Sequence, residues 1–120
     1  MITKLKKRIQ NNRLEITYNL GKKVIGFASC SYQEMLKQVE IHSLYVDIVY
    51  KKHYLMEKLL EEIHSFAKEN KAESIKTTLG AEPFSESGQI PIEQEEAFYQ
   101  QAGFIRTEKV ANIPCMLKFL

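Results

Sequence analysis

The stretch from residue 39 to residue 69 constrains this chain most. Residues 39–49 are crowded with β-branched, aliphatic and aromatic side chains and contain neither Gly nor Pro, which reads as a strand. The period then changes. Leu55, Leu59, Ile63 and Phe66 recur at helical spacing, and Met56, Leu60 and Ala67 widen the stripe. A short basic turn, Lys51-Lys52-His53, lies between the two. A strand that runs directly into a helix leaves backbone N–H groups at the helix start without partners, and such groups suit an anion.

Length and charge bound what surrounds this unit. A chain of 120 residues, 44% hydrophobic and 27% charged, fits one domain spanning residues 1–120. A net charge of +2 argues against a nucleic-acid binder. The local excess at Lys4, Lys6, Lys7 and Arg8 reads as the solvated face of a short amphipathic helix over 2–10, with Ile2, Leu5 and Ile9 beneath. No apolar run approaches the ~18 residues of a membrane span. The basic N-terminus has no apolar stretch of the signal-peptide kind. These features predict a cytoplasmic protein without a membrane partner. Cys30 and Cys115 lie in apolar, strand-like stretches with no Cys or His at ligand spacing, so they read as buried reduced thiols rather than metal ligands.

The remaining elements follow from period and punctuation. Leu14, Ile16 and Tyr18 alternate with Glu15 and Thr17, a half-buried strand. A turn at 19–22 leads into a return strand over 24–31, in which Gly26 predicts a bulge or a close backbone approach. Residues 32–37 read as a connection. Strand 39–49, helix 54–69 and strand 74–79 form a crossover unit, which favours parallel pairing. Residues 80–91, with two glycines and two prolines, form the one long irregular segment. A helix over 93–102 ends at Gly103, and strands over 105–113 and 115–120 close the chain. The predicted class is α/β (α+β): a mixed sheet with helices packed on it, whose strands splay near residues 45–50.

Two stretches resemble the GNAT superfamily of acyl-CoA-dependent N-acyltransferases. Leu44-Tyr45-Val46-Asp47-Ile48-Val49-Tyr50-Lys51-Lys52-His53-Tyr54-Leu55-Met56-Glu57-Lys58-Leu59-Leu60 follows the register of the family's strand, pyrophosphate turn and helix. Ala97-Phe98-Tyr99-Gln100-Gln101-Ala102-Gly103-Phe104 is similar to the family's late helix ending in Gly-Phe. The resemblance implies a mostly antiparallel mixed sheet with helices on both faces. It also implies an N-terminally shortened domain, in which the family's first strand and first helical pair are missing or reduced to residues 1–10.

The resemblance also implies roles. Acetyl-CoA is the expected co-substrate, held by the backbone of Val46 and Ile48 and by the turn Lys51, Lys52, His53, Tyr54, Leu55 and Met56. Glu40 matches the base that takes a proton from the amine, with His42 on its face, and Tyr99 matches the acid that protonates the leaving thiolate. The acceptor is a small-molecule or peptide amine. The family's turn carries two small residues where this chain has Tyr54 and Met56, which predicts weakened donor binding partly offset by the Lys51 and Lys52 charges. The competing class is a GNAT-like fold kept as a non-catalytic binding module. A missing first strand would put 14–19 at a sheet edge, where a second copy can pair to make a homodimer.

Overall fold

The computed structural model describes residues 3–47, 53–79, 92–107 and 114–120, with the side chains at 3, 4, 53, 54 and 92 excepted. The elements are β1 (Thr3–Gln10), β2 (Arg13–Leu20), β3 (Lys23–Gln33), β4 (Gln38–Val46), α1 (His53–Glu69), β5 (Ser74–Thr78), α2 (Ile92–Gln101), β6 (Ile105–Arg106) and β7 (Cys115–Phe119). They make a seven-stranded sheet in the order β1-β2-β3-β4-β5-β7-β6. The β4–α1–β5 crossover pairs its strands in parallel, as the sequence predicts, and the other neighbours are antiparallel.

The first expectation to fall is the helix over 2–10. Those residues form β1, paired with β2 from Thr3↔Leu20 to Gln10↔Arg13. The hairpin turns on Asn11 and Asn12, both at positive φ (51° and 63°), which the short polar side chain of Asn tolerates. Within residues 1–10, to which the resemblance reduces the family's first strand and helical pair, the chain forms β1, which turns directly into β2. Residues 14–19 are not an edge, because β1 covers them.

Alternation sorts the sheet into two faces. Leu14, Ile16, Ala28, Cys30, Val39 and Ile41 point to one face and are buried, and Ile75 and Met116 join them across the β5 and β7 ladders. The α1 stripe packs here: Leu55, Leu59, Ile63 and Phe66 are all buried. Full burial of a side chain such as Leu59 or Ile63 is worth about 1.5–3 kcal/mol each. Both helices lie on this face, not on opposite faces. Tyr99 of α2 bonds to Thr77 of β5, and Lys118 of β7 reaches His64 of α1. The opposite face carries Glu15, Ser31, Glu40, Tyr45 and Lys76, and no helix lies over it among the described residues.

Two register shifts adjust the sheet. One lies between Tyr18 and Asn19 and makes Ile25 the extra residue beside Gly26. A Cβ at Gly26 would come within 3.4 Å of the Tyr18 Cβ and 3.5 Å of the Leu59 Cδ1, so the predicted close approach is real. The other lies between Ser29 and Cys30 and makes His42 the extra residue on β4. Strand β3 also continues through Gln33, two residues beyond the predicted strand's end at Ser31.

Candidate functional site

The site is built where β4 and β5 stop pairing. Their ladder runs from Gln38↔Ser74 to Ile41↔Thr77 and goes no further among the described residues. On its other side β4 stays paired with β3 as far as Gly26↔Val46. The bulged His42 is the first β4 residue past the last rung. This is the splay that the sequence reading placed slightly later, near 45–50. Helix α1 begins at His53, with no acidic residue in its first turn.

The two residues assigned acid–base roles flank that last rung from opposite faces. Glu40 precedes Ile41, lies on the open face, is half-buried, and accepts a hydrogen bond from Gln33 Nε2 at 2.7 Å. Tyr99 lies on the helical face, 2% exposed, with its hydroxyl bonded to Thr77, the β5 member of the rung. Burial pushes the Tyr99 phenol well above its ordinary pKa; the Thr77 bond opposes that shift and Glu95 adds to it. The phenol thus stays protonated, as a proton donor must. His42 shares the face of Glu40: its Nε2 lies 2.7 Å from Ser31 Oγ, and Ser31 is the β3 partner of Glu40.

The residues assigned to the donor divide into three groups. Val46 ends β4 and is buried. Ile48, Lys51 and Lys52 lie outside the described residues, as do the side chains of His53 and Tyr54, whose backbone opens α1. Leu55 and Met56 are 3% and 7% exposed and belong to the core. Met56 therefore turns its side chain inward, away from the helix entry.

A second polar group escaped the sequence reading. A cleft of 290 Å³ between α1 and α2 is lined by Glu57, Leu60, Glu61, His64, Phe98, Gln101, Ala102 and Lys118. At its floor His64 Nδ1 donates to the Leu60 carbonyl (2.9 Å), which leaves Nε2 to accept from Lys118 Nζ (3.0 Å). Burial is the main force lowering the His64 pKa, and Lys118 and Lys68 add to it. Nothing in the sequence couples positions 64 and 118; only the return of β7 beside β5 does.

No protein-family model matches the chain, and no curated protein sequence matches it. Solved structures do. A PaiA N-acetyltransferase from Thermoplasma acidophilum, in complex with coenzyme A, superposes with a TM-score of 0.73 at 16% identity, covering 91% of this chain and 62% of that one. An aminoglycoside 6'-N-acetyltransferase from Enterococcus faecium gives a TM-score of 0.71 at 16% identity, covering 92% and 76%. A GNAT family acetyltransferase from Elizabethkingia anophelis with acetyl-CoA bound gives 0.68 at 12% identity, covering 91% and 77%. The chain has the GNAT acetyltransferase fold, and it spans less than two thirds of the first of these proteins.

Proposed function

We propose that this chain is an N-acyltransferase that moves an acetyl group from acetyl-CoA to a small-molecule or peptide amine. The observation that carries this reading is the fork at Ile41↔Thr77, with a helix start following the longer arm. A parted pair of strands offers an extended ligand a backbone to lie along. The helix start offers its phosphates N–H groups and the positive end of a dipole. Solved proteins of this fold include ones holding coenzyme A or acetyl-CoA, which supports that ligand class.

The chemistry uses the rung's two flanks. An ammonium has no lone pair, so Glu40, directly or through a water, takes a proton from the amine. The freed amine attacks the thioester carbonyl to give a tetrahedral intermediate. The intermediate collapses by breaking the carbon–sulfur bond, Tyr99 gives its proton to the departing thiolate, and the second proton lost by the nitrogen passes to solvent, from which the phenol is restored. Val46 and Ile48 align the donor arm by their backbone, and Lys51, Lys52, His53, Tyr54, Leu55 and Met56 hold its pyrophosphate end. The buried state of Met56 supports this, because it removes the side chain that would block the helix entry.

Isothermal titration with acetyl-CoA and, separately, free CoA tests the reading first. Micromolar binding is the expected result, followed by acetylation of one member of an amine panel that Glu40→Gln and Tyr99→Phe both slow. No heat at millimolar donor overturns it.

A further inference from the structure

We infer that the free edge of β1 accepts an extended acidic segment of a partner protein as an additional strand. Four observations point there. Among the described residues, strand β1 is the outermost strand of the sheet, eight residues long and without Pro, and its pairing with β2 shows no register shift. Such a strand offers outward N–H and C=O groups at a strand's repeat.

Its side chains then choose the partner. Lys6 and Arg8 project to the open face, exposed. On the helical face Lys7 is already held by Glu62 of α1 at 2.8 Å, and Ile9 beside it is 59% exposed. A concavity of 210 Å³ opens at the turn end of the β1–β2 hairpin, lined by Arg8, Gln10, Asn11, Arg13 and Glu15. Its two guanidiniums outnumber its one carboxylate, and Arg8 is oriented by Gln10 Oε1 at 2.6 Å. A carboxylate reaching in from an added strand finds a planar, forked donor there.

A second copy of this chain fits poorly. Antiparallel pairing of β1 with itself about Lys6 sets Lys6 against Lys6 and Lys4 against Arg8. Pairing about Lys7 sets Lys7 against Lys7 and Lys6 against Arg8. Directly opposed like charges destabilise a ladder. A strand that alternates carboxylates with β-branched residues meets both faces at once, with acids toward Lys6 and Arg8 and apolar groups toward Ile9. A polyanion such as single-stranded nucleic acid would satisfy the charges but not the strand-spaced backbone groups.

The test is fluorescence anisotropy of the full chain with a labelled peptide of alternating Glu and Val, as long as β1. Three probes run beside it: the same peptide with two Val replaced by Pro, an alternating Lys and Val peptide, and a short oligothymidine. The acidic peptide is expected to bind and to slow hydrogen exchange in β1. The Pro and Lys versions are expected to bind more than about tenfold more weakly, because one lacks ladder donors and the other reverses the charge. Arg8→Glu and Lys6→Glu, both at exposed positions, each weaken binding about fivefold or more. Equal binding of the Pro version, tighter binding of oligothymidine, or slowed exchange away from β1 overturns the inference. So does a chain dimer that Arg8→Glu dissolves.

Discussion

The hydroxyl of Tyr99 bonds to Thr77, the β5 residue that closes the last rung to β4. Both residues are buried, at 2% and 3% exposure, so neither has water to fall back on. Tyr99→Phe leaves the threonine hydroxyl without its partner, and Thr77→Val strands the phenol. Each is expected to cost about 1–3 kcal/mol by urea unfolding, because an unsatisfied buried polar group keeps its desolvation penalty. The double variant removes both groups and is expected to recover part of that loss. Additive costs in the double variant would mean that the bond does not join the two.

The contact between His64 and Lys118 ties stability to pH. His64 is neutral in the fold and its pKa is lowered, chiefly by burial, then by Lys118 and Lys68; the Leu60 carbonyl and Glu61 work the other way. Above the unfolded value of about 6.5 both states are neutral, and the contribution is fully present. As pH falls below it, the unfolded chain takes up a proton that the fold resists, so stability falls until the lowered folded pKa is passed. Unfolding free energy is therefore expected to decline between pH 7 and pH 5, and His64→Gln is expected to flatten the decline. NMR titration of the ring gives the folded value directly; a value at or above that of a free histidine would contradict the expectation.

How far the sequence spoke depended on whether a segment's pattern was complete in itself. Helix α1 announces its whole buried stripe, and it forms over the predicted residues. Strand β1 does not. Leu5 and Ile9 fit a helix and a strand equally well, and the inward residue between them is Lys7, which pairs with Glu62 of α1 instead of being apolar. An ion pair with a partner 55 positions away hides the alternation. The sequence names Glu40 and Tyr99 only as candidates, and it does not show their placement on the two sides of one rung. That placement depends on the bulge at His42 and on where a parallel ladder stops.

Both helices end alike, and the two ends predict opposite responses. At α2, Phe104 N–H bonds to the Tyr99 carbonyl (3.0 Å) and Gly103 N–H to that of Gln100 (3.0 Å), with Gly103 at φ 96°. The Tyr99 and Phe104 rings meet 5.1 Å apart across this end. At α1, Ala72 N–H bonds to the Ala67 carbonyl (2.9 Å) and Lys71 N–H to that of Lys68 (3.0 Å), but the left-handed residue is Lys71, at φ 59°. Gly103→Ala is expected to cost about 1–2 kcal/mol, and Lys71→Gly to add about 0.5–1 kcal/mol, from the left-handed penalty of a Cβ. Thermal unfolding of the two variants reads both signs.

Burial pushes the Cys30 thiol up to about 12, with Arg13 pulling slightly the other way, and Cys115 is 1% exposed. The thiolate is the reactive form. Neither cysteine is therefore expected to react with a disulfide reagent in the native chain near pH 8, whereas both should react in denaturant. Rapid labelling of the folded chain would show that one of the two strands opens locally.

Donor binding separates side chains that act by charge from those that act by packing. Met56 sits in the core at 7% exposure, so Met56→Ala is expected to cost about 2–4 kcal/mol of stability through the cavity it leaves. If the pyrophosphate meets only the backbone of α1's first turn, the same change leaves acetyl-CoA affinity within about twofold at temperatures where the variant is folded. Lys51→Ala with Lys52→Ala is expected to do the reverse. Stability should hardly move, while affinity falls several-fold at low salt and less at high salt, because salt screens the attraction of a lysine charge for phosphate. Titration of both variants at two salt concentrations, beside their urea curves, tests the division. A Met56→Ala chain that folds but loses the donor would show that the methionine shapes the binding turn, and an unchanged affinity in the double lysine variant would put the pyrophosphate elsewhere.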